Sequence, residues 1–317
     1  MKSYKGHEIP GMIEPIEQKT LEELAMGVNF DSGESVVEFG TFFGRSTACL
    51  SAGLRVNPSF TSGCTFYAYD SFECGKGGFL YPQVIKLAQK HGLENLLEKT
   101  DRGINFLPVF ESFLRKEILD GLLLPQKAEL TESHHKGGRI KLLHIDSPKF
   151  YKEFKIILFR FFAYLKEGGV VVFQDFFYHW SASVVAVCGL LIERGFLMPT
   201  KTAASSLVCM VNKEIDLHDI AEIDLAMDFA NIPVLIDFAL QSVKKIEIDR
   251  EEAFMPRLVL AKIQWLFESG NHAQATSEFI KFFNTGGRLN NAITNDFLEV
   301  MNHGFSIRWM YEKDRRF

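Results

Sequence analysis

The chain has 317 residues, 47% hydrophobic and 24% charged, which allows one α/β domain plus a smaller appendage and excludes a disordered or fibrous protein. A formal net charge of -5 and an isoelectric point near 6.0 leave no basic footprint for a phosphate backbone, so nucleic acid is not an expected partner. The five cysteines include no CxxC pair, the N-terminal stretch holds no apolar signal core, and the longest apolar run, 184–192, is about half a membrane span. The sequence therefore reads as a soluble, cytoplasmic protein with no membrane partner.

Residues 1–30 begin with polar, Gly- and Pro-marked sequence and then carry apolar residues at helical spacing over 20–28, which predicts a lid helix. From Ser35 the pattern becomes a strand (SVVEFG), a glycine-bearing turn (TFFGRS) and a helix (TACLSAGL). TFYAYD is a second strand ending on Asp70. A Gly-rich loop over 74–78 and a helix over 81–91 lead to a strand candidate at 104–110, followed by a helix. The polar run TESHHKGGR (131–139) predicts a surface loop that leaves His134 and His135 in solvent. IKLLHID is a fourth strand ending on Asp146, and a helix over 151–165 closes at EGG. VVVFQD is a fifth strand ending on Asp175; a helix over 183–194 and the strand SSLVCMV (205–211) finish the series. Regular alternation of strand and helix predicts an α/β, Rossmann-like, doubly wound and mostly parallel sheet, with ligands beyond the carboxyl ends of the strands.

After Lys213 the strands stop and a C-terminal all-helical extension is expected. Within it, 258–283 is similar to one tetratricopeptide-type hairpin, with Gly270 at the turn and Ala275 and Phe279 where the second helix packs. One repeat cannot make a solenoid, so the alternative is an ordinary helical hairpin that packs on the main domain or joins a second copy in a homo-oligomer. The expected division is a lid segment at 1–30, a catalytic domain at 31–213 and a helical extension at 214–317.

The most specific local pattern is VVEFGTFFGRST, residues 36–47. A dinucleotide fold needs small residues in this turn because a pyrophosphate presses on backbone near the helix N-terminus. Phe42 and Phe43, between Gly40 and Gly44, are poor for that purpose. They are tolerable where the backbone cradles a methionine moiety and a ribose instead. Thirty residues after Gly40, Asp70 ends the neighbouring strand, where a carboxylate can accept hydrogen bonds from both ribose hydroxyls. Glu111 and Ser112, after the third strand candidate, are expected to face the adenine.

The pattern at 36–47 resembles motif I of class I S-adenosylmethionine (SAM) dependent methyltransferases. With YDSFE after the second strand, HID at 144–146 and FQD at 173–175, the four phrases in order resemble the macrocin O-methyltransferase group and related small-molecule O-methyltransferases, over roughly residues 6–212. In that group strand one reads EFG or EIG, strand two ends FDSFEG, strand four ends HID and strand five ends DDY. The resemblance implies a seven-stranded sheet and SAM as cofactor, with contacts at Glu38, Gly40, Thr41, Gly44, Ser46, Thr47, Asp70, Ser71, Phe72 and Asp146. It also implies a Mg2+ on the strand-four Asp and two acids after strand five, which here leaves Asp146 and Asp175, because Gln174 stands at the first of those two acids. Two residues after Asp146, where relatives often carry another Asp, the chain has Pro148 and then Lys149.

A carboxylate base is thus absent there, and the nearest titratable replacement is His179 in DFFYHW, expected to take the acceptor's proton; Asp146 is the other catalytic candidate. His144, at a strand end, reads as a core or supporting histidine. Phe42, Phe72, Phe176, Tyr178 and Trp180 are aromatic candidates for the cofactor pocket, although most of the 30 phenylalanines must be core. The leading expectation is O-methylation of a small hydroxylated acceptor, of sugar or natural-product type. The alternatives are a methyltransferase fold that binds without catalysing, and a nucleotide-dependent oxidoreductase, which Phe42 and Phe43 disfavour.

Overall fold

The computed structural model describes residues 3–78, 80–178 and 181–284. Helix α1 (Pro15–Gly27) leads into strand β1 (Ser35–Phe39), helix α2 (Arg45–Val56) and strand β2 (Thr65–Asp70). A short strand β3 (Glu73–Gly75), helix α3 (Leu80–His91), and strands β4 (Glu98–Lys99) and β5 (Gly103–Asn105) follow. Helix α4 (Leu107–Leu119), strands β6 (Leu123–Lys127) and β7 (Ile140–Ile145), and helix α5 (Tyr151–Phe161) come next. Strand β8 (Leu165–Phe173), helix α6 (Ala182–Glu193) and the hairpin of β9 (Leu197–Ala203) and β10 (Ser206–Val211) complete the mixed region. Four helices succeed it: α7 (Leu217–Ala226), α8 (Ile232–Val243), α9 (Glu251–Glu268) and α10 (His272–Asn284).

The main sheet has seven strands in the order β6-β2-β1-β7-β8-β10-β9, and a second, three-stranded sheet has the order β3-β5-β4. β1 runs parallel to β2 and to β7, β2 runs parallel to β6, and only the β9–β10 hairpin is antiparallel among these registered pairs. β1 is buried at all five positions, as a central strand covered on both faces must be. The seven-stranded, Rossmann-like sheet and the helical tail agree with the fold expected from sequence.

Three local expectations need correction. The strand candidate at 104–110 is β5 alone; Pro108 near the helix start and Asn105 Oδ1, which accepts from the Leu107 amide (3.1 Å), begin α4 at Leu107. The third parallel strand is instead β6, and β9 is a further strand beyond the expected series; they are the two edges of the sheet and carry Pro125 and Pro199, which edge strands tolerate. The 131–139 run is not wholly a solvated loop. His134 is exposed, but His135 is buried, with Nε2 2.5 Å from the Gly138 carbonyl and its ring against Tyr67 and Tyr164; burial lowers its pKa.

The chain separates into two compact units: Met1–Ser147 with Tyr164–Val171, and Pro148–Ala163 with the chain from Val172 onward. In the first, α1 lies on α2. The Arg45 guanidinium donates to the carbonyls of Ile9 (2.7 Å) and Ile13 (3.2 Å), and Asn57 Nδ2 donates to Ala25 and Val28, so the N-terminal segment is pinned at both ends. In the second, α6 lies on α8, and the α9–α10 hairpin, turning at Gly270 (φ 84°), closes a core of Leu260, Ile263, Leu266 and Ala275 with Phe279 packed against it. The nearly buried Lys262 ammonium there is neutralised by Asp237 (2.7 Å) and Glu278 (3.2 Å).

The α1–α2 contact depends on Gly53, where a Cβ would stand 2.3 Å from the Glu22 carbonyl oxygen and 2.8 Å from the Ala25 Cβ. Gly53→Leu is expected to lower stability by about 1–3 kcal/mol, the range for overpacking. A urea unfolding curve checks this; a midpoint equal to wild type would contradict the close crossing.

Candidate cofactor site

The site is built where three parallel strands end together. Phe39 of β1 lies level with Tyr69 of β2 on one side and with Ile145 of β7 on the other. The next residue on each strand is therefore Asp70, Gly40 or Asp146, in one row with neighbouring strands about 4.8 Å apart. Two backbone bonds lock the row: Gly40 N–H donates to the Tyr69 carbonyl (3.0 Å) and Asp146 N–H donates to the Phe39 carbonyl (2.9 Å).

Gly40 occupies this place because nothing else fits. Its φ is 81°, and a Cβ there would lie 2.9 Å from Ser147 N and 3.1 Å from the Asp146 carbonyl carbon, both backbone atoms that cannot swing aside. Gly44, with φ 95°, begins α2, and a Cβ there would meet Leu114 Cδ1 at 2.6 Å and the Phe110 ring at 3.1 Å. The two glycines thus let the turn after β1 fold tightly against both neighbours.

Asp70 is half-buried and preorganised. Its Oδ1 accepts from the Phe72 amide (2.7 Å); its Oδ2 accepts from the Phe42 amide (3.0 Å) and, more weakly, from Thr41 Oγ1 (3.4 Å). Phe42 and Phe72 both have φ 51°, a left-handed backbone that is strained for a phenylalanine by roughly 1–3 kcal/mol. That conformation aims their N–H groups at the carboxylate. Burial pushes the Asp70 carboxyl above its ordinary pKa, while the amides of Phe72, Phe42 and Thr41 and the Thr41 hydroxyl pull the other way. A carboxylate has about four lone-pair positions, so Oδ1 keeps room for a further donor, and Oδ2 can take one by giving up the long Thr41 bond. Ser71 Oγ turns back to the Glu73 carbonyl (3.1 Å) and shapes the loop.

Beside this row Phe42, half-buried, stacks on Phe43 (ring centroids 4.3 Å) and meets Phe106 (5.7 Å), while the fully buried Phe72 packs on Phe110 (4.9 Å). The Phe42 ring is thus drawn toward an aromatic cluster.

Glu38 lies one layer below. It is fully buried; Oε2 accepts from Thr47 Oγ1 (2.6 Å) and Oε1 faces His144 Nδ1 (3.1 Å). Glu38 and Thr47 therefore tie β1 to α2 rather than meeting a ligand, and the fully buried His144 is held away from any acceptor. Ser46 is buried at the start of α2. Glu111 and Ser112 are not brought to this site: both are exposed on α4, with Ser112 Oγ donating to the Val109 carbonyl (2.7 Å). Their misplacement follows from reading 104–110 as a strand. His179 and Trp180 lie outside the described residues.

In the second unit, Asp175 also has a left-handed backbone (φ 58°). Its Oδ2 is 2.6 Å from Lys149 Nζ and its Oδ1 accepts from Ser205 Oγ (3.4 Å). The buried Gln174 donates through Nε2 to Ser205 Oγ (3.2 Å) and accepts through Oε1 from Ser206 Oγ (2.7 Å). Sequence reasoning missed Lys149 as a partner of Asp175. Its only signal was a basic residue just after the fourth strand. Among the described residues no group of three or more His, Cys, Asp or Glu side chains could hold a metal ion. The donor set at Asp175, an ammonium and a hydroxyl, does not fit a divalent cation. The Asp70–Gly40 row does fit SAM: a carboxylate with a free lone pair on Oδ1 and a weakly held one on Oδ2, and a glycine turn leading to a helix N-terminus.

A strand order with one antiparallel hairpin at the edge, and an acid and a glycine paired at adjacent strand ends, is the arrangement of the Rossmann-like methyltransferase fold. A family model described as a methyltransferase domain matches residues 37–176, less than half of the chain, beginning within β1, including β2 and β7 with their strand ends and reaching past β8. No curated protein matches the sequence. Among solved structures the chain is similar to the O-methyltransferase NovP, at 15% identity and TM-score 0.45, covering 64% of this chain and 82% of that one. It is also similar to a TDP-rhamnose 3'-O-methyltransferase of calicheamicin biosynthesis, at 15% identity and TM-score 0.39, covering 62% and 77%. An O-methyltransferase from Bacillus cereus in complex with SAH matches at 13% identity and TM-score 0.41, covering 65% and 86%. No described helix is long and apolar enough to cross a membrane.

Gly40→Ala is expected to lower stability by about 2–4 kcal/mol, from roughly 1 kcal/mol of left-handed backbone and 1–3 kcal/mol of steric conflict with Ser147. Chemical denaturation measures it. A loss under about 0.5 kcal/mol, the size of an ordinary surface change, would mean that the strand ends are not held this closely.

Proposed function

We propose that this chain transfers a methyl group from SAM to an oxygen of a small hydroxylated acceptor. The observation that carries the reading is the Asp70 carboxylate, held by two strained backbone amides next to the Gly40 turn. That arrangement suits a ribose whose hydroxyls donate to Asp70, with the methionine end of the cofactor toward Gly40 and the start of α2. Asp146, half-buried at the end of β7, completes the row. The cofactor supplies a sulfonium, already a strong electrophile, so the protein's part is chiefly to orient donor and acceptor and to exclude water. His179 keeps its expected role as the group that takes the acceptor's proton.

The acceptor class comes from the phrases EFG, YDSFE, HID and FQD, which resemble the macrocin O-methyltransferase group. A second reading, a methyltransferase fold that binds without turnover, is favoured by Gln174, whose amide is satisfied at both ends by Ser205 and Ser206. Conversion of SAM to S-adenosylhomocysteine over a panel of sugars and phenolic natural products separates the two. Binding without product for every acceptor would favour the second.

Calorimetric titration with SAM is the direct test. Asp70→Ala should weaken binding by at least roughly tenfold, since two hydrogen bonds to a charged acceptor are lost. Wild-type affinity in the variant would remove the basis of the proposal.

The same group sets a pH dependence. Ribose hydroxyls donate to the ionised carboxylate, and burial raises its pKa, so SAM affinity is expected to fall on acidification while ordinary carboxylates are still ionised. Asp70→Asn should flatten that part of the profile. An identical profile in the variant would assign the titration to another group.

A further inference from the structure

The Lys149–Asp175 pair has a role that the reading above does not use. Both side chains are about a quarter exposed or less, 24% and 21%, and the ammonium meets the carboxylate at 2.6 Å. The two ends of the pair are separately fixed. Lys149 N–H donates to Glu153 Oε2 (3.1 Å), which anchors the start of α5, and the Asp175 carbonyl accepts from Ser181 Oγ (2.8 Å) and from Tyr178 N–H (3.2 Å). Behind them a directed chain of donors runs from Ser206 to Gln174, from Gln174 to Ser205, and from Ser205 to Asp175. A neutral amide is needed at 174 to accept at one end and donate at the other; a carboxylate there could not donate to Ser205. Gln174 and Lys149 are thus two parts of one arrangement, in which Asp175 receives one hydroxyl and one ammonium.

We infer that the Lys149 ammonium takes the place a divalent cation would hold on Asp175, and that Asp175 is a positioning residue for Lys149 rather than a metal ligand. Asp175 then holds an ammonium supplied by the chain itself, a donor suited to an oxygen that bears or develops negative charge. This deepens the proposed methyl transfer and rests on it for the identity of the reaction alone. The charge relations at Asp175 are independent of it. An ammonium, unlike Mg2+, needs no octahedral oxygen shell.

Mn2+ alone, titrated into the full chain and followed by the loss of its free-ion electron paramagnetic resonance signal, tests the inference. Wild type should show no saturable site below about 1 mM, the weak end of protein sites for divalent ions. Lys149→Asp removes the ammonium and adds a second carboxylate beside Asp175; it should bind Mn2+ at least roughly tenfold more tightly, and adding Asp175→Asn should abolish the gain. Lys149→Ala, which introduces no new charge, gives a second reading if the Asp variant loses its circular dichroism signature, with a smaller gain expected. Saturable Mn2+ binding to wild type that Asp175→Asn abolishes would overturn the inference, and so would wild-type affinity in a folded Lys149→Asp protein. SAM titration of the same samples keeps the two proposals apart. Loss of SAM binding in wild type would count against methyl transfer and leave the Mn2+ result to stand.

Discussion

The structure turns on one close approach. At the end of β1 the backbone of Gly40 passes so near that of Asp146 and Ser147 that even a methyl group would not fit, while its amide is bonded to β2. This fixes the register of three parallel strands at their carboxyl ends, and with it the row of Asp70, Gly40 and Asp146. The buried Glu38 reinforces it from beneath, holding Thr47 of α2 and His144 of β7 with its two oxygens. Strand register, helix placement and the half-buried carboxylate edge are therefore consequences of a few contacts that residues 38–47 make with Tyr69 and with residues 144–147.

Strain is concentrated where the chemistry is expected. Of the five non-glycine residues with a left-handed backbone among those described, Phe42 and Phe72 aim their amides at Asp70, and Asp175 is the partner of Lys149. A surrounding structure tolerates such conformations only where it over-determines them. At Asp70 the return is a half-buried carboxylate that is oriented before any ligand arrives, although its desolvation opposes ionisation.

The central part of the fold was legible because β1 and β7 are buried almost throughout and read as apolar runs ending at Gly40 and Asp146, while β2 between turn signals alternates and ends on Asp70. The two edge strands were not. LLPQK and LMPTKTA each contain a proline and polar residues that a one-sided, half-exposed strand accepts, and neither repeats the pattern of the interior strands. Missing β6 shifted the third strand onto 104–110, and that slip carried Glu111 and Ser112 to a site they do not reach. The Lys149–Asp175 pair was hidden for another reason. A long-range ion pair has no spacing signature, and Gln174 alone looked like a lost ligand rather than one link in a hydroxyl–amide chain.

Hydrogen exchange of the backbone amides, with and without S-adenosylhomocysteine, tests the central claim most directly. The account predicts slowed exchange at Phe42 and Phe72, whose N–H groups bond Asp70, and in the first turn of α2, with little change on the exposed face of α4 that carries Glu111 and Ser112. Protection on α4 with none at Phe42 and Phe72 would contradict it.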